Sequence, residues 1–365
     1  MKVAILGTRG VPPKYGGFET LADELSRGLA LRGHDVVVYC RPGYGYPKRA
    51  KLAKGLTAVR TPSIKSKFFE SLTAGVTSAL HASFVERPDV VVFCNPSNIW
   101  ALKLLRLFRI PGVLHMAGLE YRRVKWKGIG ASVLRAATHS AVRSPIDLMT
   151  DNDAVADWYR ETFNRELHVI KYGANAPTRN DDVVAEFGLT HKGYDLVVAR
   201  WDADNHVAEA IEAHALSGID TPLVVVGFTD KIDEYGARIR AALANNPRAI
   251  SLGSVWDQDK LAALFAGARV YVHGHSAGGT NPALLLGATS GAEVFAHGNP
   301  FNREVVGDNA WLWMTVADLA ELFRSFDTSS TRKAEVLEAA VSARYTWEGV
   351  VSDYEVLLES IVGRK

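Results

Sequence analysis

The chain has 365 residues, which is too many for one ordinary hydrophobic core and predicts two domains. Hydrophobic residues make up 47% and charged residues 22%, as in globular proteins, and a net charge of +2 argues against nucleic-acid binding through bulk charge. The sequence shows neither a charged leader nor an apolar stretch of about 18 residues, so we expect a cytoplasmic protein with Cys40 and Cys94 as buried, reduced thiols.

Strands and helices alternate through the first half of the chain. Apolar runs predict strands at 2–7, 34–40, 56–61, 89–94, 111–116, 146–150 and 167–171. Helical spacing of apolar residues predicts helices at 17–32, 66–85, 97–108, 129–143 and 152–163. This alternation indicates a doubly wound α/β sheet.

A glycine-rich loop at residues 7–20 joins the first strand to the first helix. Its four glycines do not have the spacing of the dinucleotide fingerprint, and Arg41 stands where an acidic residue would hold a ribose. Both features argue against an NAD site. The pair Gly16 and Gly17 instead suits a loop that faces a pyrophosphate.

A second alternating set begins after a polar linker with one short helix at 173–193. Its strands are predicted at 195–200, 222–228, 249–253, 268–274 and 293–297, with helices between them. The tail from Val316 to Val362 has a helical pattern throughout. The second half therefore predicts another doubly wound domain.

The most informative segment runs from Arg269 to Val306. It predicts a strand, a glycine-rich loop at 276–282, a helix of small residues, a further strand and a short polar turn. Free N–H groups at such a helix start attract phosphate. A tight turn that needs glycine only for its backbone conformation is the equally weighted alternative.

Motifs along nearly the whole chain resemble one known family. The matching stretches are GTRGVPPKYGGFETLADELSRGL, GLEYRRVKW, VIKYGAN, LVVARWDADN, LGSVWDQDKLAALFAGARVYVHGHSAGGTNP and HGNPFNREVVGD. They are similar to retaining glycosyltransferases of the GT-B fold, in family four, and within it to the rhamnosyltransferase-like branch of bacterial capsule and exopolysaccharide clusters.

This resemblance implies a domain organisation and a substrate. It implies two Rossmann-like domains facing across a cleft, an acceptor domain at 1–175 and a nucleotide-sugar domain at 176–345, with a helix at 346–365 crossing back to the first. It also implies transfer from a nucleoside-diphosphate sugar to a saccharide or lipid-linked saccharide, without a metal or other cofactor.

The resemblance also assigns donor contacts, mainly in the second domain. Arg200 would neutralise the diphosphate, although a surface arginine is the plainer interpretation, and Glu304 is either a donor contact or a helix N-terminal charge. The predicted donor-binding residues are Gly16, Gly17, Arg200, Asn205, Ser254, Val255, Gly278, Gly279, Thr280, Asn281 and Glu304.

Two positions depart from the family pattern. Leu286 replaces a glutamate that binds the nucleotide ribose, and Ala117 replaces an aspartate of the first domain. Loss of one charge-assisted hydrogen bond costs roughly ten- to a hundredfold in affinity. The alternative to an active enzyme is therefore a degenerate homologue that acts as a non-catalytic partner or a pseudo-glycosyltransferase.

Three residues are candidates for the chemistry, which requires charge stabilisation of the leaving diphosphate. Arg200 would supply that charge. His115 ends a predicted strand and either reaches the cleft or packs in the strand layer. Glu120 either takes part in catalysis or pairs with Arg122 or Arg123.

Two segments mix cations with apolar and aromatic residues, namely 64–69 and 121–127. Such segments bind anionic membrane surfaces, each cation contributing about 1 kcal/mol. We therefore expect peripheral contact with the inner face of the membrane, an ordinary solvated helix start being the alternative. The sequence predicts no nucleic-acid partner.

Overall fold

The computed structural model describes residues 1–13, 16–65, 69–116, 129–229, 233–326 and 333–364. Contacts between Cα atoms divide these residues into two compact units. The first unit contains the described residues up to Gly173 together with those from Trp347 onward. The second unit runs from Ala174 to Thr346.

The first unit is built on an eight-stranded sheet. Its strands are β1 (Lys2–Leu6), β2 (Asp35–Cys40), β3 (Arg49–Ala53), β4 (Leu56–Arg60), β5 (Val90–Cys94), β6 (Gly112–His115), β7 (Asp147–Thr150) and β8 (His168–Val169). Their order is β3-β4-β2-β1-β5-β6-β7-β8, and every neighbouring pair except β3 and β4 is parallel. The inner strands are almost wholly buried, as parallel strands between helical layers require.

Helices flank this sheet within the described residues. They are α1 (Gly17–Leu31), α2 (Glu70–His81), α3 (Ile99–Leu107), α4 (Ile129–Val142) and α5 (Asp153–Phe163). One π-helical turn, Ala82–Glu86, continues α2. The start of α5 shows why a helix begins where it does, because the Asn152 side chain accepts a hydrogen bond from the Val155 N–H at 3.3 Å.

The second unit has a six-stranded sheet that is parallel throughout. Its strands are β9 (Asp195–Val198), β10 (Leu223–Val226), β11 (Ala249–Gly253), β12 (Val270–His273), β13 (Glu293–His297) and β14 (Trp311–Trp313), in the order β11-β10-β9-β12-β13-β14. Its helices are α6 (Asp181–Glu186), α7 (Val207–Ser217), α8 (Glu234–Ala244), α9 (Gln258–Gly267), α10 (Pro282–Ala288), α11 (Pro300–Val306), α12 (Val316–Ser325) and α13 (Lys333–Arg344).

One hydrophobic cluster joins strands and helices of the second unit. Ile211 of α7, Val225 of β10 and Phe295 of β13 are fully buried in it, and Trp313 and Phe323 are 1% exposed. Burial of each such side chain stabilises the fold by about 1.5–3 kcal/mol. This cluster holds the sheet rigid beneath the loops that follow its strands.

The last helix, α14 (Trp347–Gly363), belongs to the first unit. It packs against α1 so closely that a Cβ added at Gly28 would lie 2.4 Å from Val351. Glu355 accepts a hydrogen bond from Arg32 Nη1 and bonds to His34 Nε2, both at 2.6 Å. The helix is thus fixed by packing and by charge.

The predicted α/β fold with two parallel sheets is confirmed. Strand β3 is not predicted by the sequence, because its alternating cations break the apolar run, and β14 has only three residues. The polar turn predicted after β13 is the helix α11, which Asn299 caps by accepting from the Asn302 N–H at 3.0 Å. Cys40 and Cys94 are free and buried.

Among the helices of the described residues, none combines the length and hydropathy that crossing a bilayer requires.

Candidate functional site

The strand order of the second unit reverses beside β9. If the six strands are numbered in chain order within the unit, their order in the sheet is 3-2-1-4-5-6. The chain therefore adds β10 and β11 on one side of β9, and then β12, β13 and β14 on the other side. In open parallel sheets ligands bind outside the carboxyl ends of the strands at such a reversal. Arg200 follows β9 and the loop at 274–281 follows β12, so both lie at this edge.

The loop after β12 presents the N–H groups of two buried glycines. Gly278 and Gly279 have φ angles of 52° and 80°, in the region that favours glycine. Both residues are buried, and within the described ranges neither N–H donates a hydrogen bond to the protein. Buried N–H groups without an acceptor are rare, and successive ones in a turn form a concave anion-binding surface. The loop is suited to hold a phosphate.

The two residues after this pair lead into helix α10. Thr280 is 7% exposed. The Asn281 side chain caps α10 by accepting a hydrogen bond from the Ala283 N–H at 2.9 Å. Helix α10 is only seven residues long, so the glycine N–H groups rather than a helix dipole provide most of the positive potential.

Asn205 connects the segment of Arg200 to the glycine loop. Its Nδ2 donates to the Arg200 carbonyl oxygen at 2.7 Å, and its Oδ1 lies 2.8 Å from His275 Nδ1. The side chain is 7% exposed. Because both ends of the amide are engaged inside the protein, Asn205 fixes the relative position of the two segments. Its role as a donor ligand stays a prediction, and the contacts in the protein make it a link between the two segments.

Two further amides hold the same edge of the sheet. Asn302 Nδ2 donates to the carbonyl oxygens of His275 and His297, each at 2.9 Å. Asn299 Nδ2 also donates to the His275 carbonyl at 2.9 Å. These bonds tie α11 to the ends of β12 and β13, and neither asparagine is among the predicted site residues.

Neutral histidines fill the space between these amides. Burial lowers the pKa of His273 to about 3 and that of His297 to about 4, so both rings are uncharged at neutral pH. The His206 ring stacks on His297 with centroids 4.8 Å apart. Within the described part of the chain, no three His, Cys, Asp or Glu side chains are grouped to hold a metal ion.

Arg200 provides an exposed positive charge at this edge. Its side chain is 44% exposed, and its Nη1 lies 3.7 Å from Asp202 Oδ2. An ion pair of that length at the surface is weak. The guanidinium therefore remains available to an anionic ligand while its backbone is fixed by Asn205.

The other predicted donor residues lie on neighbouring segments. Ser254 and Val255 follow β11, the outermost strand on that side, and Ser254 is exposed. Glu304 lies in the second half of α11, with its Oε1 3.9 Å from Arg344 Nη2. The interpretation of Glu304 as a helix N-terminal charge is therefore wrong.

Sequence reasoning missed three aromatic residues at the same edge. Trp201 follows β9, Phe228 follows β10 and Trp256 follows β11. The Trp201 and Phe228 rings have centroids 6.3 Å apart. Phe228 is 53% and Trp256 61% exposed, which is unusual for such large apolar side chains. The detectable signal was an aromatic residue shortly after each of three adjacent strands.

The first unit has its own glycine loop after β1, held by charged side chains. Arg41 Nε donates to the Thr8 carbonyl at 3.0 Å, and Arg41 Nη2 donates to the Gly7 carbonyl at 2.9 Å. On the other side, Glu19 Oε1 accepts from the Arg9 N–H at 2.8 Å. Arg41, noted in the sequence only as evidence against NAD, is thus a structural brace of this loop.

Gly16 and Gly17 lie at the start of α1. Gly16 is exposed with a φ of 98°, and a Cβ there would lie 2.7 Å from Glu19 Oε2. The Gly17 carbonyl accepts a hydrogen bond from the Tyr172 hydroxyl. The pair lies at the carboxyl edge of β1, with Gly16 exposed and Gly17 half-buried, and its contact with a pyrophosphate stays a prediction.

The catalytic candidates of the first unit are only partly described. His115 ends β6, is 1% exposed and contacts Phe18 edge-on, with ring centroids 5.1 Å apart. Burial lowers its pKa to about 4, which agrees with the alternative of a packed, neutral histidine. Glu120 and Ala117 lie outside the described residues.

Two other predicted features can be located in part. Leu286 is half-buried in α10, where the family glutamate is expected.

In the segment 64–69, Ile64 and Phe69 are 62% and 60% exposed, whereas 66–68 lie outside the described residues. The whole segment 121–127 also lies outside them.

Part of the chain is similar in sequence to a known family of domains. Residues 16–173 match the family model described as Glycosyl transferase 4-like domain. No curated protein matches the chain by sequence.

Several solved structures are similar over the full length. A sucrose-phosphate synthase from Thermosynechococcus elongatus has a TM-score of 0.85 at 18% identity, covering 100% of both chains. HepE from Anabaena, solved in complex with UDP and glucose, has a TM-score of 0.76 at 16% identity, covering 99% of this chain and 100% of its own. An α,α-trehalose 6-phosphate synthase from Burkholderia multivorans has a TM-score of 0.71 at 11% identity, covering 100% and 99%. The chain therefore has the GT-B fold of these glycosyltransferases, and its residues 16–173 are similar to the Glycosyl transferase 4-like domain.

Proposed function

We propose that the protein transfers a hexose or deoxyhexose, such as a rhamnose-like sugar, from a nucleoside-diphosphate sugar to a saccharide or lipid-linked saccharide with retention. The observation that carries this proposal is the loop after β12. The N–H groups of two buried glycines, Gly278 and Gly279, have no acceptor among the described residues, and they lie at the strand-order reversal together with the exposed guanidinium of Arg200. This combination favours a diphosphate.

The chemistry follows from that arrangement. Breaking the bond between the sugar and the diphosphate leaves negative charge on the diphosphate and positive charge on the sugar. Fixed N–H donors and a guanidinium stabilise the developing negative charge without having to reorganise during the reaction. Arg200 and the loop N–H groups would fill this role without a metal ion, and the Asn205 amide would hold the two parts in register.

The base of the nucleotide would lie toward β10 and β11. Phe228 and Trp256 offer exposed aromatic faces there, and stacking on such faces is a common way to hold a base. HepE has been solved with UDP-glucose, which supports a nucleotide sugar as the ligand class to test first.

One observation favours a second candidate, a degenerate homologue that binds without transferring. Leu286 places an apolar side chain, half-buried, on the helix that follows the glycine loop. Leucine cannot accept a hydrogen bond from a ribose hydroxyl. Nucleotide binding without turnover is the behaviour that this candidate predicts.

We further propose that the protein works in the cytoplasm at the inner membrane face. Exposed Ile64 and Phe69 support peripheral contact through the segment 64–69, together with 121–127. A lipid-linked acceptor would be reached there.

Isothermal calorimetry with UDP, dTDP, GDP and their sugars tests the proposal. Arg200→Ala is expected to weaken diphosphate binding about ten- to a hundredfold, because a charge-assisted hydrogen bond is lost, with little change in melting temperature. Arg240→Ala, an exposed arginine of α8 in the same unit, is the matched control and should leave binding unchanged. Equal binding by the Arg200 variant would refute its role. An assay of sugar transfer to lipid-linked acceptors separates the two candidates, because a degenerate homologue would show no transfer.

A further inference from the structure

The charge of this chain is distributed very unevenly. Residues 36–146 contain 18 Lys and Arg against 4 Asp and Glu, a net charge of +14. The rest of the chain contains 24 basic and 36 acidic residues, a net charge of −12. The overall value of +2 hides a strongly basic region in the first unit.

An edge hairpin displays part of this charge. Strands β3 and β4 form the antiparallel edge of the first sheet, and Lys48, Lys51, Lys54 and Arg60 are exposed on it. Within the described ranges, none of the four has a carboxylate partner. The nearby Glu86 is buried and is already paired with Lys2 and Arg49.

An exposed apolar surface accompanies the cations. Val76, Leu80 and Phe84 recur every four residues along α2 and the turn that continues it, and they are 40%, 39% and 59% exposed. Phe108, at the end of α3, contacts Phe84 edge-on with ring centroids 5.0 Å apart. Arg87, Arg106 and Arg109 are exposed beside these residues in the sequence. Large apolar side chains grouped at a surface mark an interaction site.

A concavity joins the hairpin to the apolar stripe. It has a volume of about 720 Å³ and is lined by Lys48, Arg49 and Arg60 from the hairpin and by Leu80 and His81 from α2. Thr61 and Thr77 add hydroxyl groups to its wall. One surface of a single unit therefore combines cations, hydroxyls and protruding apolar side chains.

We propose that this surface, formed by the β3–β4 hairpin and the outer face of α2, docks the first unit onto an anionic phospholipid bilayer, with lipid phosphates held in the concavity. Cations attract the anionic headgroups, and the apolar side chains enter the boundary with the acyl chains. A nucleic acid would use the cations but would gain nothing from aliphatic Val76 and Leu80. The surface differs from the segments 64–69 and 121–127, and the proposal does not depend on sugar transfer.

Sedimentation with vesicles tests the proposal on the full chain. We expect binding to vesicles of 30% phosphatidylglycerol, in phosphatidylcholine, that weakens with salt, and at least tenfold weaker binding to pure phosphatidylcholine. Lys51→Glu with Arg60→Glu should lower the affinity for anionic vesicles at least tenfold, and Leu80→Ser with Phe84→Ser should lower it by a similar factor. Inorganic phosphate at the concentration of lipid phosphate should not displace the protein.

Matched controls lie in the second unit. Arg179→Glu with Arg240→Glu makes the same change in net charge at exposed sites, and Leu216→Ser with Val336→Ser removes two exposed apolar side chains. Both controls should bind vesicles like the unaltered chain, and circular dichroism should show all variants folded. Absence of anionic-lipid binding, equal loss in the controls, or displacement by free phosphate would overturn the proposal. Nucleotide affinity, measured without vesicles, should be the same in all variants, so failure here is distinguishable from failure of the proposed sugar transfer.

Discussion

The two glycine loops follow central strands of their sheets, the first strand β1 in one unit and the fourth strand β12 in the other, and they are held by different means. In the first unit, the loop after β1 is braced by charged groups, the Arg41 guanidinium on one side and the Glu19 carboxylate on the other. In the second unit, the loop after β12 is braced by neutral groups, chiefly the Asn205 and Asn302 amides. Both loops follow a strand beside a reversal of strand order.

The difference has an electrostatic consequence. In the first loop, Arg41 is half-buried, burial lowers its pKa, and its guanidinium already donates to two carbonyl groups of the protein. In the second loop the braces add no net charge, and Arg200 remains exposed near the buried glycine N–H groups. Neutral bracing leaves the positive potential of the second loop for an anionic ligand.

The largest expected effect is on the stability of the first loop. Arg41→Met removes two charge-assisted hydrogen bonds to carbonyls of the loop and should lower the free energy of unfolding by about 3 kcal/mol. Urea unfolding of the variant measures this. Arg109→Met, an exposed control, should change it by less than about 0.5 kcal/mol. An equally small effect at both positions would mean that charge does not hold the first loop.

The free energy of unfolding should fall in acid, because neutral histidines lie beside the second loop. The pKa values of His273 and His297 are lowered in the folded state, so the unfolded chain binds protons more readily below pH 6.5. Stability is therefore complete above that pH and is lost as the pH falls toward 4. For a histidine with a folded pKa near 4, the loss between pH 7 and pH 5 is about 2 kcal/mol. Urea unfolding at the two pH values tests this, and His297→Gln should show a smaller pH dependence. A stability that does not change with pH would contradict the neutral assignment.

Asn205 should affect ligand binding more than stability. Asn205→Leu breaks the connection between Arg200 and His275, and we expect about tenfold weaker diphosphate binding, since one positioned charge is no longer held in place. Asn205→Asp keeps an acceptor for His275 but loses the donor to the Arg200 carbonyl and adds a negative charge, so it should weaken diphosphate binding more than Asn205→Leu. Calorimetry measures diphosphate binding by both variants. Affinities equal to that of the unaltered chain would show that Asn205 does not position Arg200.

The smallest effect concerns the exposed aromatic residues. Trp256→Ala should weaken nucleotide binding about fivefold while leaving inorganic pyrophosphate binding unchanged, because only the base would stack on the indole. Trp100→Ala, an exposed tryptophan of the first unit, is the control. Equal loss for nucleotide and pyrophosphate would show that Trp256 does not contact the base.

The sequence predicts the framework of this site better than its details. Buried parallel strands are continuous apolar runs, and glycines mark the loops that follow them, so the two sheets and both loops are predictable. Strand β3 is not, because an edge strand with outward cations has no apolar run. The amide network also escapes prediction, since Asn205 and His275 are 70 residues apart and only the folded chain brings them together.

Hydrogen exchange of the backbone amides tests the central claim, that a diphosphate is bound by the Gly278 and Gly279 N–H groups beside Arg200. Exchange of a peptide covering 274–284 is measured with and without saturating nucleoside diphosphate, and the β3–β4 hairpin serves as the reference. We predict at least tenfold slower exchange at the two glycines and no change in the hairpin. Unchanged exchange at Gly278 and Gly279, with nucleotide shown to be bound, would contradict the account.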